Sequence, residues 1–311
     1  MTVLPTQPNM TEASFKDIGL VLSLDETDGF LPDLVASLPT IRTGAGRLHL
    51  FHIIPSLALS GHMQEMVHSL QSPHFGLEDR LKKIMLQQWS QRYPELAAQG
   101  SLLADVREGH PLQLMLQLCA EHSVDLLVSA TIPGDMASGL AAKRLARHAK
   151  QALLFLPAGT SALELDHPVV PFDFSEHSVK AVRAMLRWAD EMGKPSKSVK
   201  ALYVVDYPPT KDYLTRHYGL LTSDWKERLA RRFREQMAMA GIDPDRLDFL
   251  AVKNDRFDVA ATLRAYWQAS GTDFICMGAL GHSSLEHLFL GSVTEALVSD
   301  PLDIPILLIR S

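Results

Sequence analysis

Only two cysteines, Cys119 and Cys276, occur in the 311 residues. They fall in different halves and within apolar segments, so they read as buried free thiols rather than as a disulfide or a metal site. No excess of positive charge exists either. The net charge is −6, with no block of like charges, which argues against non-specific nucleic-acid binding. The strongly apolar runs, such as 152–158 and 304–309, are too short to span a bilayer. The first residues, MTVLPTQPNMTEASFKD, lack the basic start and apolar centre of a signal peptide and read as a short disordered lead. A cytoplasmic location is expected. Also missing are a Gly-x4-Gly-Lys-Ser/Thr loop, a kinase signature set and a Cys/His cluster suited to a structural metal.

What is present is a soluble, core-forming composition, 46% apolar and 21% charged, and a repeated plan. Apolar runs at 18–24, 48–54, 101–106, 125–129 and 152–156 read as strands. Helical periodicity lies between them: Leu31, Leu34, Val35 and Leu38; a stretch from about Leu77 to Leu96; Leu112–His122; and the basic segment Leu140–Lys150. The order recurs with strands at 168–172, 199–205, 247–252, 273–277 and 304–309. Helix faces lie on Val179, Val182, Leu186 and Ala189; on Trp225, Leu229, Phe233 and Ala240; and on Val259, Thr262, Leu263 and Tyr266. Asp25 and Asp173 close the first strand of each half, and DLLVS matches DFICM. A repeat of this length governs the fold assignment. It predicts an α/β chain of two tandem doubly wound domains, 15–158 and 167–311, each with a five-stranded, mainly parallel sheet flanked by helices. The break lies near 159–166, where Gly159, Thr160, Ser161 and Ala162 interrupt the pattern.

Open parallel sheets bind ligands beyond the carboxyl ends of their strands. The richest such stretch is MGALGHSSLEHLFLGSVTEAL, which runs on from Met277. Gly278, Gly281 and Gly291 allow main chain to approach an anion. A helix beginning near Ser292 aims free N–H groups and a positive dipole end at the same place. Ser292 and Thr294 add hydroxyls, so the segment reads as a phosphate cradle without a lysine. Ser292-Val-Thr-Glu295 also reads as a capping box that merely starts the helix. Asp173 likewise reads either as a site carboxylate or as the cap of the turn at 174–178.

The Gly-x2-Gly-x9-Gly-Ser spacing of Gly278, Gly281, Gly291 and Ser292 resembles the ATP-binding motif of the universal stress protein family. Pro171-Phe172-Asp173-Phe-Ser-Glu resembles the family's first-strand signature, and Tyr203-Val204-Val205-Asp206 its second-strand ending. The resemblance covers essentially all of 167–311 and implies an adenine-nucleotide alpha hydrolase-like fold. It further implies that Pro171, Phe172 and Asp173 flank the adenosine and that Val204 offers main chain to adenine. Met277, Gly278, Gly281, Gly291, Ser292, Val293 and Thr294 would hold ribose and phosphates, with Mg²⁺ carried mainly by ATP oxygens and water. Where the family often has His before the second glycine, this chain has Leu280. The first half shares the layout but not the motif. Ala130, Thr131, Ile132 and Pro133 replace the glycines, and Lys143-Arg-Leu-Ala stands near the place of Gly-Ser. It is therefore expected not to bind ATP in the family's manner. Its basic helix reads either as a solvated face or as an attractor of anions.

Three functions compete. One is a nucleotide-responsive stress or regulatory protein with a protein partner. Another is a slow ATP-hydrolysing enzyme using His282, His287 or Glu286. The third is a dimerisation module with a vestigial site. The two fifth strands are expected to pair within the chain and cover each other's edges, giving an internal pseudo-dimer that could dimerise further.

Overall fold

The structure, a computed structural model, describes residues 15–24, 28–55, 76–194, 199–205, 225–254, 256–280, 290–300 and 303–310. The N-terminal lead, Asp25, the long segment 56–75, Asp206, Gly281, His282, Glu286 and His287 lie outside these residues.

Strands β1 (Asp17–Val21), β2 (Arg47–Pro55), β3 (Leu102–Gly109), β4 (Leu126–Thr131) and β5 (Ala152–Pro157) belong to the first half. Between them run α1 (Leu31–Ser37), α2 (Pro39–Arg42), α3 (Leu77–Arg92), α4 (Pro94–Ala98), α5 (Pro111–Glu121) and α6 (Met136–His148). The second half has β6 (Pro168–Pro171), β7 (Lys200–Val205), β8 (Asp248–Lys253), β9 (Phe274–Gly278) and β10 (Ile306–Ile309). Its helices are α7 (Glu176–Glu191), α8 (Trp225–Met239), α9 (Val259–Ser270) and α10 (Ser292–Ser299).

The strands make one ten-stranded sheet in the order β3-β2-β1-β4-β5-β10-β9-β6-β7-β8. Pairing is parallel within each half. Among the described residues only the β5–β10 seam is antiparallel, with Ile306 opposite Phe155 and Leu308 opposite Leu153. The expected pairing of the two fifth strands is thus present, and neither leaves an open edge there. Each half winds outward from its first strand to its third, then returns to the other side of the first. Strand order therefore reverses between β1 and β4 and between β6 and β9.

Strand residues alternate between two cores. One core holds Leu34 and Val35 of α1, Met85 and Trp89 of α3, Val182 and Met185 of α7, and Phe233 and Met237 of α8. The other holds Leu118 of α5, Ala142 and Leu145 of α6, Leu263 and Trp267 of α9, and Leu297 and Val298 of α10. Both cores run through both halves, which explains the continuous apolar strands. The repeat extends to single atoms. Asp125 Oδ2 accepts the N–H groups of Lys16 and Asp17 at the start of β1, at 3.0 and 3.1 Å. Asp273 Oδ2 accepts those of Asp166 and His167 ahead of β6, at 2.7 and 2.9 Å.

Several boundaries differ from expectation. Strand β1 stops at Val21, and Leu24 has φ +62°. The helical stretch 77–96 breaks at Tyr93 (φ −126°, ψ 66°), because Pro94 disfavours helical geometry in the residue before it. Helix α6 starts at Met136 rather than Leu140, since Asp135 caps it. Strand β6 ends at Pro171, one residue short of Phe172.

Candidate functional site

The candidate site lies where strand order reverses in the second half, at the carboxyl tips of β6, β7 and β9. Gly278 ends β9. A Cβ there would lie 2.9 Å from the backbone carbon and oxygen of His177. Glycine therefore lets the first turn of α7 close over the strand tip. Beyond it, Ala279 N–H donates to Ile309 O at 2.9 Å, and Gly291 N–H donates to Ala279 O at 2.9 Å. Gly291 thus lies back at the tip of β9, and Gly278 and Gly291 are neighbours. Gly281 lies outside the described residues.

Gly291 is the N-cap of α10, at φ −61°, ψ 141°, and supplies no side-chain cap. This corrects the capping-box reading: Ser292 is the first helical residue and is exposed. Glu295 does not reach back to the helix start. Its carboxylate pairs with Lys143 and Arg147 of α6, each at 2.6 Å. Hydrogen bonds from Arg147, then Lys143, hold its carboxyl below the usual value. Among the described residues, no side chain accepts from the N–H groups of Ser292, Val293 or Thr294. Such a helix start carries partial positive charge and unpaired donors.

Thr294 is buried, and its Oγ1 donates to Gly278 O at 3.1 Å. A hydroxyl has one proton to give, so Thr294 ties α10 to β9 and is not the free hydroxyl donor expected. Ser292 keeps that role. Val293 is half-buried against the core shared by α9 and α10.

Asp173 Oδ1 accepts Ser175 N–H at 3.0 Å, and Ser175 Oγ accepts Ser178 N–H at 3.2 Å at the start of α7. The turn-capping role of Asp173 is thus real. Phe172 turns its ring into the core, 5.1 Å from the rings of Phe174 and Phe233. Its N–H donates to Leu202 O at 2.8 Å. Val204 and Met277 are buried on the opposite face, so each can offer a ligand main chain only. Strand β6 pairs with β9 through Val169 opposite Ile275. That register, carried forward, sets half-buried Pro171 opposite Met277. The structure therefore gathers Pro171, Phe172, Asp173, Met277, Gly278, Gly291, Ser292, Val293 and Thr294 at one pair of strand tips, with Val204 on the neighbouring strand.

The family model for the universal stress protein family matches residues 165–310. This part of the chain is a universal stress protein domain. Among solved structures, a universal stress protein from Archaeoglobus fulgidus aligns with a TM-score of 0.62 at 12% identity, over 94% of this chain and 98% of its own. A functionally unknown protein from Pseudomonas aeruginosa aligns at 0.57 with 12% identity, over 96% and 93%. These likenesses establish the fold over both halves. Comparison with curated proteins yields no match.

The first half shows what the universal stress protein domain lacks. Strand β4 runs on through Ala130 and buried Thr131, where the glycines would stand. Its next helix, α6, is capped by Asp135, which accepts from Ala137 N–H and Ser138 N–H at 3.2 and 3.1 Å. Ser138 Oγ accepts from Ile132 N–H at 2.9 Å. A built-in carboxylate thus occupies the place that stays open at α10. The expected helix start at Leu140 missed this cap, although an Asp just ahead of an apolar-periodic stretch is a recognisable signal. The ion pairs of α6 with Glu295 had no local signal. Both cysteines are free and buried, and burial pushes the Cys119 thiol up to about 12. No helix among the described residues is long and apolar enough to cross a membrane.

Proposed function

We propose that the chain binds an adenine nucleotide, ATP with Mg²⁺, at the tips of β6, β7 and β9. In this reading it acts as a nucleotide-responsive stress or regulatory protein in the cytoplasm. The observation that carries the proposal is the uncapped start of α10 beside Gly278, within a universal stress protein domain. Phosphate oxygens would accept the N–H groups of Ser292, Val293 and Thr294 and the Ser292 hydroxyl, in the field of the helix dipole. Gly278, Gly281 and Gly291 keep side chains out of the way. Pro171, Phe172 and Asp173 would border the adenosine, and the main chain of Val204 and Met277 would meet the base. Mg²⁺ would ride on phosphate oxygens and water. The self-capped α6 supports a single site per chain, in the second of two domains divided near 159–166. A second copy of the chain and an unidentified protein are the partners this role would allow.

Gly291 has φ −61° and ψ 141°, which any L-residue adopts. Gly291→Val should therefore fold, and its side chain should fill the cradle. Titration with ATP is expected to show binding by the wild type and none by the variant, with matching circular dichroism. Equal affinity in the two proteins contradicts the proposal.

A further inference from the structure

Arg310 follows directly on β10, whose register sets Ile309 opposite Gly278. Hydrogen bonds from Ala279 N–H to Ile309 O and from Gly291 N–H to Ala279 O link this strand end to the start of α10. Along β10, Ile306 and Leu308 enter the core shared with α6 and α10, while Leu307 and Ile309 enter the other. Alternation therefore directs Arg310 toward the α10 face.

Among the described residues, the Nε and Nη2 atoms of Arg310 are buried and find no hydrogen-bond partner. Burial pushes its pKa down. Among the described residues no carboxylate answers it. The open start of α10, tied to this strand end through Ala279 and Gly291, adds partial positive charge. Two guanidinium nitrogens held out of water without an anion are unfavourable. The planar fork of guanidinium N–H donors suits the paired oxygens of a phosphate.

Resting on the nucleotide reading above, the geometry points to Arg310 as the cation of the phosphate site, supplying from the last strand the charge that the glycine motif does not carry. The ligand chemistry it selects is a phosphoanion, either the phosphate chain of a nucleotide or a free polyphosphate. The site is then a product of the whole sheet. Strand β10 presents the guanidinium, α10 the N–H groups, and α6 of the other half holds Glu295 away from both.

The test uses the full chain and the variants Arg310→Met and Arg310→Lys, titrated with ATP, adenosine and tripolyphosphate and followed by calorimetry and thermal unfolding. Arg310→Met is expected to weaken ATP binding about ten- to hundredfold, the scale of a charge-assisted hydrogen bond. Adenosine affinity should be unchanged, and tripolyphosphate should no longer raise the melting temperature. Without ligand, the Met variant should melt no lower than the wild type, because two buried guanidinium nitrogens without an anion have been removed. Arg310→Lys should retain part of the ATP affinity. A Met variant that binds ATP like the wild type overturns the proposal, and so does one that melts well below it without ligand. Should the wild type ignore ATP but gain stability from tripolyphosphate only when Arg310 is present, this proposal stands and the nucleotide reading falls. A wild type stabilised by neither overturns it.

Discussion

A single methyl group at position 278 would push against the backbone of His177, 2.9 Å from an ideal Cβ. Backbone cannot rotate aside as a flexible side chain can, so Gly278→Ala should lower stability by about 1–3 kcal/mol, the usual range for overpacking. Urea unfolding would measure it, and a loss near zero would show that α7 yields freely. A second residue-scale prediction concerns His49, which is 1% exposed and places Nε2 3.0 Å from Asp17 Oδ1. Its ring centre is 4.9 Å from that of His122, which bonds Asp105 at 2.8 Å. Burial, and secondarily the positive charge that His122 and Arg47 can bring, outweigh Asp17 and hold the His49 pKa below its ordinary 6.5. The unfolded chain then takes up a proton before the folded one does. The stability that neutral His49 permits is fully present above pH 6.5 and is lost as pH falls toward its folded value. Burial would raise the Asp17 carboxyl, but hydrogen bonds from Arg47 and His49 lower it overall, so its share is lost only at more acid pH. The unfolding midpoint should drop from pH 7 to pH 5, and drop less in His49→Gln. Equal slopes would remove His49 from the account.

Elements differ in how far their start and stop signals are local. The cap of α6 is local, because Asp135 sits directly ahead of the helix and accepts from Ala137 and Ser138 N–H. Asp135→Ala should cost about 1 kcal/mol of stability, read by thermal unfolding, and an unchanged protein would mean that the cap is redundant. The start of α10 is not settled locally. Ser292 and Glu295 have capping-box spacing, yet Glu295 is drawn to Lys143 and Arg147, well over a hundred residues earlier in the chain. Those two cations on one acidic partner outcompete a single backbone N–H. The same logic explains the other departures. Apolar periodicity placed nearly every helix and strand, since it records burial. It could not place the break at Tyr93, which a proline imposes from the next residue. Nor could it show that the Thr294 hydroxyl is spent on Gly278 O, because that bond depends on how the β9 tip meets α10.

At the scale of the whole molecule, two parallel half-sheets close on each other through one antiparallel seam between β5 and β10. The repeat was legible because both halves keep the same order of elements and even the same strand-starting aspartates, Asp125 and Asp273. The unequal fate of the two strand-tip sites was legible in part. Missing glycines after β4 announced that the first half differs, but only the fold shows Asp135 taking the N–H groups at α6. Arg310 carried no motif, since its meaning comes from two buried guanidinium nitrogens, Nε and Nη2, that find no partner among the described residues. The account therefore predicts an asymmetric molecule with symmetric scaffolding, one nucleotide site and one self-filled counterpart. Calorimetric titration of the full chain with ATP and Mg²⁺ tests this most directly. The expected result is saturable binding of one nucleotide per chain; a well-folded chain that binds none, or that binds two alike, would contradict it.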